Sequence, residues 1–186
     1  LVPRIPRDTI LQHTTPYWHI FGTTAKETLR CRYCARVVIS HSMHTSFSLA
    51  LPLHGRLTIE HLFADALGNE PIDGSCPRCK HQDCRTKTTE LVTKPRVLAL
   101  HLKRWDFIRA RGRPDKIDTP VDFEMLLPLD RTTTFELCSV IVHRGAHGGG
   151  HYTAFVRAQD HSAAPRPCSA DEVMAAQAYM LFYQRL

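Results

Sequence analysis

Apolar and polar positions along this chain change period several times, and the changes mark its elements. From Thr45 to Leu51 they alternate, with Phe47, Leu49 and Leu51 on one face and Ser46, Ser48 and Ala50 on the other. That pattern predicts a half-buried strand, ended by Pro52. Thr58 opens a run in which Ile59, Leu62, Phe63, Ala66 and Leu67 recur at helical spacing, with Gly68 placed to stop it. Val97 to Trp105 is nearly continuous in apolar residues, as expected of a strand well inside a sheet. In Ser139 to Arg157, two runs rich in β-branched and aromatic residues flank a glycine-rich turn: Val140, Ile141 and Val142 before it, Tyr152, Thr153, Phe155 and Val156 after it. Ser169 and Glu172 stand at the spacing of a capping box, announcing a last helix that yields to a strand from Tyr179 to Tyr183.

The intervening stretches complete the picture. Tyr17 to Phe21 reads as an aromatic strand, and Val37 to Ile39 as another. Thr86 to Leu91 is expected to be a polar crossover and Asp106 to Pro120 a charged loop, while Glu124 to Leu129 leads into a strand from Phe135 to Val142. Residues 1–16, with little periodicity, are expected to be a tether or an expression remnant; the chain opens on Leu1, so a fragment or processed product is expected. Short helices among antiparallel strands predict an α+β fold.

Composition narrows the class. A chain of 186 residues is one domain's worth and can bury roughly 70% of its unfolded surface. At 43% apolar and 23% charged it has an ordinary globular composition. The net charge of +6 is spread along the chain. It favours acidic partners without pointing to nucleic acid, because the densest basic group, Arg109, Arg111 and Arg113, is set in an expected solvated loop without clustered aromatics. No apolar run approaches a membrane span and no signal peptide opens the chain, so an intracellular setting, cytoplasm or nucleus, is expected, with no membrane partner.

Cys31 and Cys34, with Cys76 and Cys79, form two Cys-x-x-Cys pairs. Four thiolates on two tight turns satisfy tetrahedral zinc and leave no position for water, so the site predicted is structural. A redox pair would want a βαβ context and disulfides an oxidising compartment; both stay as alternatives. Cys84, Cys138 and Cys168 have no partner spacing and are expected to be buried as small apolar residues.

The glycine run Gly148, Gly149 and Gly150 is too conformationally free to serve stability, which suggests close backbone approach by a second chain. His151, at the start of the following strand, places an imidazole beside that passage; a strand-capping histidine on a surface hairpin is the plain alternative. Gly150-His151-Tyr152 and the strand after it resemble the histidine box of the ubiquitin-specific proteases, papain-like cysteine proteases that remove ubiquitin. The paired knuckles, the strand from Val97 to Trp105 and the closing Ala178 to Tyr183 resemble the same family in the same order.

The resemblance implies a partial papain-like ubiquitin-specific protease fold: fingers closed by zinc on Cys31, Cys34, Cys76 and Cys79 over residues 17–95, and a palm carrying the histidine box over residues 96–186. It implies ubiquitin or ubiquitinated proteins as partners, His151 as the base for a cysteine nucleophile, and Gly148, Gly149 and Gly150 beside the channel for ubiquitin's Gly-Gly tail. No Asn-x-Gly-Asn-Thr-Cys segment, which carries the family's cysteine and oxyanion-stabilising asparagine, precedes Cys31. Between the histidine strand and the last helix, only Asp160 is acidic where the family has an aromatic and aspartate-rich segment, and no role is carried over to it. The expectation is therefore a deubiquitinase fragment inactive alone, with a zinc-stabilised ubiquitin-binding module that does not cleave as the alternative. A zinc-containing nucleic-acid binder is the weakest reading.

Overall fold

A computed structural model describes residues 15–53, 55–108, 113–146, 149–157 and 167–186. The chain divides into two compact units, the first formed by residues 1–46 and 64–97, the second by residues 47–63 and 98–186.

The first unit opens with helix α1, Pro16–Phe21. This corrects the strand expected for Tyr17 to Phe21. Thr15 accepts the Trp18 amide proton at 3.2 Å on its side chain, and Pro16 fills the first helical position, where its missing N–H costs nothing. Strands β1 (Thr23–Cys31) and β2 (Val37–His44) form a hairpin around the first cysteine turn. Strand β1 also pairs antiparallel with β6 (Arg85–Leu91), and β6 with β5 (Glu70–Ile72), giving the order β2-β1-β6-β5. The crossover expected at Thr86 to Leu91 is thus a central strand. Its threonines are β-branched and suit a pleated surface, but none of its residues is fully buried, so no hydrophobic alternation announces it.

The second unit is built on a mixed sheet. Strand β3 (Phe47–Ala50) lies parallel to β7 (Val97–Lys103), and the strand order is β11-β12-β14-β7-β3. Here β11 is Leu126–Asp130, β12 is Thr133–Ala146 and β14 is Ala178–Arg185; β13, Gly149–Val156, pairs with the far half of β12. Leu49, Leu98, Leu100, Leu102, Phe135, Val140, Leu181 and Tyr183 are buried in it. A two-residue strand β4 (Leu57–Thr58) pairs with β10 (Val121–Asp122). Helix α2, Ile59–Leu67, buries Ile59, Leu62 and Phe63, the stripe its spacing predicts.

Where a loop is expected from Asp106 to Pro120, β8 (Trp105–Ile108) and β9 (Arg113–Lys116) form a hairpin. Arg109 and Arg111 lie outside the described residues. Helix α3, Ala170–Met174, carries the expected capping box: Ser169 Oγ accepts the Glu172 amide proton at 3.1 Å, and the Glu172 carboxylate accepts that of Ser169 at 2.9 Å. Among the described residues, no helix is long and apolar enough to cross a membrane.

Arg104 stands between β7 and β8, which belong to different sheets, and is 2% exposed. Its Nε donates to the Ala178 carbonyl at 2.6 Å, and its Nη1 to those of Ile117 at 3.1 Å and Thr119 at 3.0 Å. A planar fork with several donors can reach three carbonyls on two distant backbone segments at once, a geometry that the point charge of a lysine does not reproduce.

Candidate functional site

Two matching turns in the first unit bring four sulfurs together. In each, the first cysteine donates its N–H to the carbonyl five residues on: Cys31 to Arg36 and Cys76 to His81, both at 2.9 Å. In each, the residue after the second cysteine has left-handed backbone, Ala35 with φ 55° and Lys80 with φ 63°. The ring of Tyr33 from one turn stacks on His81 from the other, with centroids 4.1 Å apart.

The sulfurs of Cys31, Cys34, Cys76 and Cys79 all lie within 4.8 Å of one another. Cys31 Sγ is 3.7 Å from Cys79 Sγ, and Cys34 Sγ is 3.8 Å from Cys76 Sγ. Tetrahedral zinc with Zn–S bonds of ~2.3 Å holds its sulfurs ~3.8 Å apart. Both contacts, each joining one turn to the other, therefore match edges of that tetrahedron, and both are far too long for disulfides.

The donor chemistry agrees. The backbone N–H of Cys34, then that of Tyr33, points at the Cys31 sulfur and brings its pKa down to about 6, against the opposing effect of burial. The amides of Cys79 and Arg78 hold the Cys76 thiol below its ordinary range in the same way. Burial and the neighbouring sulfurs push the other two thiols the opposite way, Cys34 up to about 11 and Cys79 upward as well, so one thiol of each turn is poised as a thiolate and a metal would displace the proton of the other. The four residues fit a zinc ion.

A fifth cysteine was not assigned to this cluster by spacing. Cys84 is buried as expected, but its sulfur is 3.5 Å from that of Cys31. The sequence signal was its position five residues after Cys79. Of the other two, Cys138 is half-buried and donates to the Phe182 carbonyl at 3.3 Å. Cys168 is exposed, correcting the expectation of burial: it lies in irregular chain before α3 with no core to enter.

In the second unit, β12 and β13 place Arg144 opposite His151, Gly145 opposite Gly150 and Ala146 opposite Gly149. Gly145 has φ 132°, and a Cβ there would meet the Gly149 carbonyl oxygen and the Gly150 Cα at 2.6 Å. A Cβ at Gly150 would overlap the His143 ring. At Gly149 a Cβ would meet nothing within 4 Å, so unlike Gly145 and Gly150 this glycine borders open space. His151 is exposed and shares a face with Arg144, its cross-strand partner. Gly148, His147 and Asp160 lie outside the described residues.

His143, eight residues before His151, is 7% exposed. Its ring packs against Tyr152 at 4.6 Å, Trp105 at 5.8 Å and Tyr179 at 6.0 Å between centroids. Strand alternation explains the difference: opposed residues share a face, so His143 joins Tyr152 on one side of the ribbon while His151 stands on the other.

The family model described as ubiquitin carboxyl-terminal hydrolase matches residues 4–183. Human ubiquitin carboxyl-terminal hydrolase 15 is 37% identical over 126 residues, covering 59% of this chain and 13% of that protein. Ubiquitin carboxyl-terminal hydrolase 2 of Gallus gallus is 30% identical over 187 residues, covering 89% of this chain and 52% of that protein. The chain thus spans about half, or less, of the length of these curated relatives. Among solved structures, the SAGA DUB module bound to monoubiquitin superposes with a TM-score of 0.78 at 21% identity, over 94% of this chain and 43% of that one. The module bound to ubiquitin aldehyde gives 0.77 at 21% identity, over 98% and 45%. With a family match over nearly its whole length and the α+β fold of these modules, the chain belongs to the ubiquitin carboxyl-terminal hydrolase family.

Proposed function

We propose that this chain is the finger and palm part of a cysteine-type deubiquitinase, which hydrolyses the bond after the C-terminal glycine of ubiquitin when the family's cysteine segment is supplied. The fingers lie within residues 17–95 and the palm within residues 96–186, with residues 47–63 of the first span grouped with the palm unit. The observation that carries the reading is the hairpin in which Gly149, open to solvent, leads directly to an exposed His151. An extended Gly-Gly tail can lie against Gly148, Gly149 and Gly150 only if no side chain intervenes. There His151 takes the proton from the attacking thiol and returns it to the leaving amine.

Cys138 is not that thiol. Burial pushes its pKa up, and it is bonded to the Phe182 carbonyl. Cys31, Cys34, Cys76 and Cys79 hold a structural zinc ion, which supplies a crosslink between the two turns and takes no part in the reaction. Reduced thiols at such a site suit an intracellular setting, in cytoplasm or nucleus.

The same chemistry favours a second reading, ubiquitin binding without cleavage, because Cys138, set in β12 of the palm, is bonded to the Phe182 carbonyl and not available for attack. One experiment separates the two. The chain is joined to the family's cysteine-bearing N-terminal segment and assayed on a ubiquitin-fluorophore conjugate, in parallel with a titration against ubiquitin. Cleavage abolished by His151→Ala supports the protease, binding without cleavage supports the module, and the absence of both cleavage and binding removes both readings.

A further inference from the structure

The cysteine cluster contains one sulfur more than a tetrahedral ion needs. Cys84 is 1% exposed and forms one buried group with Cys31 and Cys76, with Cys34 and Cys79 packed against it. Its Sγ is 3.5 Å from that of Cys31, close to the ~3.8 Å edge of a zinc-thiolate tetrahedron. Its backbone is clamped to the first turn, the Cys84 carbonyl accepting the Arg32 amide proton at 2.9 Å. Its thiol donates to the His81 carbonyl at 3.2 Å.

We propose that Cys84 is a reserve ligand of the metal centre, taking the coordination position of Cys31 when that sulfur is lost or transiently released. A change of χ1 carries a cysteine sulfur about 3 Å between staggered wells. That is nearly the whole separation between the two sulfurs, and the move gives up one weak sulfur hydrogen bond. The relationship is selective, since Cys84 lies outside the group of four mutually close sulfurs, packs beside Cys31 and Cys76, and makes its sulfur–sulfur contact with Cys31. Loss of Cys31 is therefore rescued, while loss of Cys34, Cys76 or Cys79 is not. The inference rests on the reading of the four-cysteine cluster as a zinc site.

The test measures zinc per chain by mass spectrometry, and the sulfur-to-cobalt charge-transfer band after cobalt replacement, in the wild type and in the serine variants of all five cysteines. The expected result is about one zinc in the wild type, in C84S and in C31S, and its loss in C34S, C76S, C79S and the double variant C31S/C84S. Wild-type protein without zinc overturns the reading of the cluster itself. Zinc in the wild type but none in folded C31S overturns the reserve role alone.

Should C31S fail to fold, zinc release to a chelator decides the matter with all four ligands intact. C84A and the packing-preserving C84V are both expected to release zinc roughly tenfold faster than the wild type, the size of effect seen for neighbours of metal ligands. If C84V releases zinc at the wild-type rate, Cys84 only fills space and the proposal is overturned.

Discussion

Gly150 passes so close to the imidazole of His143 that a methyl group there would stand 2.9 Å from its Cε1 and 2.7 Å from the Arg144 carbonyl oxygen. The glycine is thus required by the folded hairpin itself, before any substrate arrives. Gly149 is free of this constraint, and the two positions separate folding from function. Gly150→Ala is expected to destabilise the second unit by about 1–3 kcal/mol through overpacking. Gly149→Ala is expected to leave thermal stability unchanged or raised by up to about 1 kcal/mol, yet to weaken engagement of the ubiquitin tail. Thermal melts and a ubiquitin titration on both variants check this; equal losses of stability would refute it.

His151 is exposed and no hydrogen bond or ion pair to a described side chain holds it, so its removal should cost the fold little. In protein carrying the cysteine segment, His151→Ala is expected to lower kcat by about 10²- to 10⁴-fold, with stability within about 0.5 kcal/mol of the wild type. A large drop in melting temperature would instead make this histidine a structural residue.

Ala35 and Lys80 hold left-handed backbone in the two cysteine turns. For a residue with a Cβ that conformation costs about 1–2 kcal/mol, part of which glycine returns as unfolded-chain entropy. Ala35→Gly and Lys80→Gly should each stabilise the first unit by about 0.5–1 kcal/mol, read as a higher denaturant midpoint for the zinc-loaded protein. A decrease in either midpoint would show that these turns gain nothing from glycine.

Arg104 donates to three backbone carbonyls from a site 2% exposed. Arg104→Ala leaves the carbonyls of Ala178, Ile117 and Thr119 short of a buried donor and is expected to cost about 3–5 kcal/mol. Arg104→Lys should recover only part of this, because one ammonium cannot reproduce the guanidinium fork. Denaturant unfolding of the two variants gives both numbers, and a lysine variant as stable as the wild type would contradict the account.

Local chemistry wrote several features plainly into the chain. The Ser169 and Glu172 capping box, the Ile59, Leu62 and Phe63 stripe and the spacing of the two cysteine pairs all depend on residues a few positions apart, so their physics is visible at short range. The start of α1 was equally local, in Thr15 and Pro16, but the aromatic run from Tyr17 to Phe21 drew the reading towards a strand. The β6 strand was hidden for a different cause: with neither face deeply buried, nothing selects for alternation.

What the sequence determined by itself was therefore the inventory: four thiols in two turns at the spacing a metal needs, a glycine-rich run leading to His151, and a mixed α+β set of elements. The tertiary structure decided which of these meet. Pairing of β3 with β7 joins residues about fifty positions apart in the chain, and pairing of β1 with β6 brings Cys84 to Cys31 across a similar distance. Strand register put His143 beneath Gly150 and His151 on the opposite face. Such contacts arise from closure of long loops and from burial shared among distant strands, and no short window of sequence carries that information.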